Sequence, residues 1–176
     1  GTGTDGHRVQ VLYAVEADDP DRFDEVLPVL RNEVAIVDDT IAASAAETDG
    51  GRRVRWVLDD ACVPVVTKVV LPAGALGTSA DKVAAFAAMR TALADLGFND
   101  PTRKYLVFAD ATAMCGRGSY YLDDSPTNNR NDNGTVTAYA RVDSACWVTD
   151  PDWHSLATHE LMHTLGGVQP SAPHAT

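Results

Sequence analysis

Lysine is scarce in this chain, three residues in 176 against eleven arginines. Glutamate is scarce as well, five against twenty aspartates. With 25 acidic and 14 basic residues the net charge is −11. Such a surface repels a phosphate backbone and excludes nucleic acid as the expected partner. No run of eighteen apolar residues occurs, so no segment reads as a membrane span. The opening Gly1 to Gly6 has no apolar stretch of the signal-peptide kind and reads as a trimmed or mature N-terminus. Cysteine is limited to Cys62, Cys115 and Cys146, with no Cys-x-x-Cys pair, which argues against a cysteine-based zinc knuckle. What is present is a globular composition, 45% apolar, at the length of one ordinary domain.

Hydrophobic periodicity lays out the elements. Val9, Val11, Tyr13 and Val15 alternate, which predicts a strand over His7 to Glu16. Asp18 to Asp21 break it. Leu27, Leu30, Val34, Val37, Ile41 and Ala45 then form one apolar stripe, predicting a helix from about Pro28 to Ala46, with Pro28 in its first turn. Val54, Trp56 and Leu58 predict a half-exposed strand over 52–59, and the valine-rich run from Val63 to Leu71 predicts a buried one. A second helix is expected from about Asp81 to Leu96, capped by Thr78 or Ser79, burying Val83, Phe86, Leu93 and Leu96, and stopped by Gly97. Arg103 to Asp110 reads as a central strand, and Thr135 to Asp143 as another. Between them lies a long polar stretch rich in turn-forming residues.

The chemistry is concentrated near the end, in His159-Glu160-Leu-Met-His163-Thr-Leu-Gly166-Gly167. On a helix His159 and His163, four apart, project from one face within reach of a single ion. Glu160 is turned about 100° from His159, where a carboxylate can serve a metal-activated water as general base. With five His and five Glu in the chain, chance placement yields this pattern about 0.004 times. Thr149 or Asp150 as cap, Pro151 at the first helical position and the Gly166-Gly167 stop supply the helical context the chemistry needs. The competing account is a helix with two surface histidines and an unrelated glutamate.

His159, Glu160, His163 and Gly166 match, position by position, the metzincin signature H-E-x-x-H-x-x-G-x-x-H, and the chain resembles that zinc metalloprotease family. The segment from Asp143 to Thr176 is similar to a group of secreted bacterial metzincin-like proteins. The third-ligand position of the signature is occupied by Gln169, a poor zinc ligand beside imidazole. His174 stands where an insertion after the glycine would place the third histidine. The resemblance also implies a methionine turn, a role that Met162, inside the motif, cannot play. Residues beyond Thr176 would then supply that turn and could supply the third ligand. The choices for that ligand are a residue beyond Thr176, His174, Gln169, His154 or water alone.

The resemblance implies a single catalytic domain over 1–176, lacking its C-terminal part. It implies an α+β, zincin-like fold in which a mixed, twisted sheet packs two long helices and the last helix carries the motif. It further implies secretion and a peptide or protein substrate. The strand over Thr135 to Asp143 would be the sheet edge that pairs with an extended substrate. The alternatives are a non-catalytic binding domain on the same scaffold, with an incomplete metal site, and a zinc hydrolase acting on something other than peptides.

Three features stand beside the motif. Cys115 and Cys146 flank the polar stretch and the strand after it; they read as a disulfide or as two buried thiols, and Cys62 as buried or paired outside the chain. Asp123, Asp124, Asn128, Asn129, Asn131, Asp132 and Asn133 offer oxygen ligands for calcium, though without EF-hand spacing, and a solvated loop is the alternative. Trp147 and Trp153 can wall a cleft or pack a core.

Overall fold

The computed structural model describes residues 3–120, 137–147 and 155–167. Its elements in chain order are β1 (Arg8–Glu16), α1 (Phe23–Ala46), β2 (Val66–Leu71), α2 (Lys82–Asp95), β3 (Arg103–Ala109), β4 (Gly116–Gly118), β5 (Ala138–Asp143), a single 3₁₀ turn (Ser144–Cys146) and α3 (Leu156–Thr164). The strands form one mixed sheet in the order β2-β1-β3-β5-β4, parallel except for the antiparallel β4–β5 pair.

Strand alternation divides the core in two. Val9, Val11, Tyr13 and Val15 of β1, Leu106 and Phe108 of β3, and Ala140 and Val142 of β5 point to the face covered by α1 and α3. Leu12, Tyr105, Val107 and Tyr139 point to the other face, against α2. The fold is therefore α+β, with a mixed five-stranded sheet and three helices among the described residues. Only α1, with 24 residues, is long; α2 has 14 and α3 nine, so the expectation of two long helices is not met.

α1 begins five residues before the expected start, and Pro28 lies inside it. The helix tolerates this because Pro28 and Asp24, the residue whose carbonyl loses its partner, are both exposed, so water can take the unpaired oxygen. Residues 52–59 are extended but make only two isolated bridges, Val9 to Trp56 and Leu58 to Pro64, instead of a strand. The valine-rich run is also corrected. β2 starts at Val66 and forms the sheet edge, so only Val69 and Leu71 are buried and Val70 is 51% exposed.

In α2 the cap is Asp81, which accepts the Ala84 N–H at 2.9 Å, and neither Thr78 nor Ser79 serves. Its buried side is Ala85, Phe86, Met89 and Leu93, whereas Val83 and Leu96 face water. Alanine makes both sides of this helix look alike, so its stripe cannot be read from side-chain size. Gly77 fixes which side docks: a Cβ there would stand 2.5 Å from the Cβ of Ala85.

β5 is not the edge strand. It lies between β3 and β4, and all six of its residues are buried, Arg141 and Asp143 included. The Arg141 Nε donates to Asp143 Oδ1 at 2.6 Å, and Asp143 Oδ2 accepts the Met114 N–H at 2.9 Å. This buried pair, with the Cys115–Cys146 disulfide, ties the approach to β4 onto β5. Cys62 is corrected from buried to exposed: it occupies a tight surface turn held by the Asp59 carboxylate, with φ of 63°.

Candidate metal centre

α3 is placed from both ends and along one side. At its N-terminus the cap is Ser155, whose hydroxyl accepts the Ala157 N–H at 3.1 Å and donates to the buried Glu33 carboxylate of α1. The expected caps Thr149 and Asp150, with Pro151, lie outside the described residues, and the helix begins at Leu156. At its C-terminus Gly166 adopts φ of 79°, while the Gly166 and Gly167 N–H groups bond back to His163 and Met162 carbonyls. That is the left-handed stop expected of the glycine pair. Along the side, Ala157 and Leu161 enter the core shared with α1 and the sheet.

These constraints turn Glu160 and His163 toward β4, with His159 beside them. Their ligand atoms all lie within 4.8 Å of one another. The two imidazole rings meet edge-on at 4.8 Å between centroids, and the Tyr120 ring stacks on His163 at 5.5 Å. His159 is exposed, His163 half-buried and Glu160 buried. The arrangement gives one exposed and one half-exposed nitrogen donor beside a sheltered carboxylate.

The shelter comes from β4. A Cβ on Gly116 would stand 2.5 Å from Oε1 of Glu160. One on Gly118 would stand 2.6 Å from the Glu160 carbonyl and 2.7 Å from the His163 Cβ. The intervening Arg117 places its guanidinium carbon 5.8 Å from the centroid of the Phe86 ring. Glycine at alternate positions lets the strand backbone lie directly on the helix. Burial under this backbone pushes the Glu160 carboxyl up to about 7; the Gly118 N–H and the Arg117 charge pull it down by less.

Among the described residues the group that could hold a metal ion consists of His159, Glu160 and His163. His154, Gln169 and His174, the in-chain candidates for a third ligand, lie outside them, as do Trp153 and the Asp/Asn stretch considered for calcium. Trp147 packs in the core, its ring 6.1 Å from Phe108 and its indole N–H on the Val142 carbonyl at 3.0 Å. Gly116, Gly118, Tyr120, Ser155 and Glu33 are the site's supports that sequence reading missed. Only the Gly-x-Gly spacing carried a signal, a strand with one bare face.

The disulfide fits an oxidising compartment. No helix among the described residues is long and apolar enough to cross a membrane. No protein-family model matches the chain, and no curated protein matches it.

Proposed function

We propose that the chain is the catalytic domain of a secreted, zinc-dependent endopeptidase of metzincin-like fold, with His159 and His163 as ligands and Glu160 as general base. The observation that carries this reading is the gathering of two imidazoles and one buried carboxylate within 4.8 Å on a single helical turn. The donor set fits zinc, since imidazole nitrogen is among its preferred ligands and a catalytic site keeps one position open. The third protein ligand would come from His174 or from a residue after Thr176.

When bound, zinc supplies Lewis acidity toward a peptide carbonyl and a water molecule. Glu160 takes the proton from that water and delivers it to the departing amine. A carboxyl held near neutrality by burial suits a group that must both accept and return a proton. The Gly118 N–H keeps the carboxylate oriented. An extended peptide has a place to pair: among the described residues β4 is the last strand of the sheet on this side, beside His163. The substrate-pairing edge is thus assigned to β4 in place of β5. The disulfide supports the secreted location.

The test is casein or peptide cleavage by the full chain. Hydrolysis that a chelator abolishes and zinc restores is expected. Glu160→Ala should abolish cleavage while zinc stays bound. Full activity in that variant would overturn the mechanism. Zinc binding with no cleavage of any peptide would favour the non-catalytic binding domain.

A further inference from the structure

Behind the motif helix lies a second, differently built cavity. It measures about 500 Å³ and sits at the margin where β1 and β3 begin, against the far side of α3. Its size falls within the range of small-molecule sites, roughly 300–1,000 Å³. Its charge is opposite to that of the molecule. Among the described residues, Arg8, Arg52, Arg53, Arg55 and Lys104 line it together with His7, and no Asp or Glu does. Five of the 14 basic residues of a chain with net charge −11 therefore converge on one cavity.

Three of the five, Arg8, Arg52 and Arg55, pair with no carboxylate among the described residues. Arg53 is engaged, by Asp38 at 2.6 Å and Asp39 at 3.5 Å. Arg8 is held by carbonyls only, Nε on Asp5 at 2.9 Å and a terminal nitrogen on Trp56 at 2.7 Å, which fixes its direction and leaves its charge. Arg52 and Arg55 are exposed and pair with no carboxylate among the described residues. Lys104 shares the face of β3 that carries Leu106 and Phe108, the one covered by α1 and α3, and it is only 5% exposed. Arg103, next to it, spends its guanidinium on the carbonyls of Thr4 and Gly6 at 2.6 Å each. The rest of the wall is aliphatic: half-buried Ile41, Val54, Met162 and Leu165.

We propose that this cavity binds a small organic anion, with an oxyanion head on Arg8, Arg52 and Arg55 and an apolar body against Met162 and Leu165. Guanidinium forks match phosphoryl and carboxyl oxygens in pairs, and the aliphatic wall rewards a ligand that is more than a bare ion. A nucleic acid is disfavoured because the −11 charge surrounding the cavity repels an extended polyanion.

The experiment is isothermal titration of the full, metal-loaded chain at fixed ionic strength with four probes: phenyl phosphate, benzoate, inorganic phosphate and benzyl alcohol. Phenyl phosphate or benzoate should bind saturably, and whichever binds tighter identifies the head group. Inorganic phosphate should bind more weakly and benzyl alcohol not at all. The Arg52→Ala/Arg55→Ala variant alters exposed side chains and leaves the metal site untouched. It should weaken binding by about tenfold or more, as loss of charge-assisted bonds predicts. Equal binding by wild type and variant would place the probe elsewhere, at the metal included, and overturn the proposal. So would no saturable binding of either aromatic anion. None of these outcomes depends on peptide hydrolysis, so the proposal stands or falls apart from the protease reading.

Discussion

The Ser155 hydroxyl joins two helices, accepting the Ala157 N–H of α3 and donating to the Glu33 carboxylate of α1. Both residues are buried, and the bond fixes the start of the helix that carries His159, Glu160 and His163. Ser155→Ala should cost about 1 kcal/mol, the usual worth of a cap. Glu33→Ala removes a buried acceptor and its volume and should cost about 2–3 kcal/mol. Urea unfolding measures both, and a Glu33→Ala loss below that of Ser155→Ala would contradict the assignment.

The glycines of β4 set the contact between strand and motif helix. Gly116→Ala and Gly118→Ala would each drive a methyl within 2.6 Å of Glu160 atoms. Each should destabilise by about 1–3 kcal/mol, the range for overpacking. Any peptidase activity should fall further than stability does, because the displaced atoms belong to Glu160, the proposed general base. Unchanged activity in both variants would show that Glu160 does not need this strand.

Asp143 neutralises Arg141 in a site where both side chains are fully buried. Asp143→Ala leaves that guanidinium without its charge partner and should cost about 3–5 kcal/mol. The Met114 N–H loses its acceptor as well. Chemical denaturation reads the loss, and a cost under 1 kcal/mol would mean that Arg141 has another route to compensation.

In the metal-free protein the Glu160 carboxyl is held at about 7, above the ordinary 4.5, because burial penalises its charge. The folded state therefore binds this proton more tightly than the unfolded chain. Its contribution to stability is present below pH 4.5 and is lost as pH rises through 7. Glu160→Gln should consequently gain in melting temperature over wild type at pH 8 and lose most of that gain at pH 4. A difference independent of pH would contradict the burial.

Much of this site was legible because its chemistry is local. His159, Glu160, His163 and Gly166 lie on one helix and its stop, so spacing alone brings the donors together. Cys115 and Cys146 were likewise found from their places around the polar stretch. What escaped depended on partners far away in sequence. Glu33 looked like one more polar residue of α1, and nothing local marked it as the anchor of a cap at Ser155. β5 alternated like an edge strand, but its place inside the sheet is set by β4, a three-residue strand too short to show a period. The helix ends moved for the same reason: solvent at Pro28 and tertiary contact at Ala85 decided what propensity left open.

His159 and His163 are proposed to hold one zinc beside Glu160. Zinc titration of the metal-stripped full chain, with His159→Ala and His163→Ala run in parallel, tests it most directly. About one zinc per wild-type chain is expected, with loss of tight binding in each variant. Wild-type protein that binds no zinc, or variants that keep it undiminished, would contradict it.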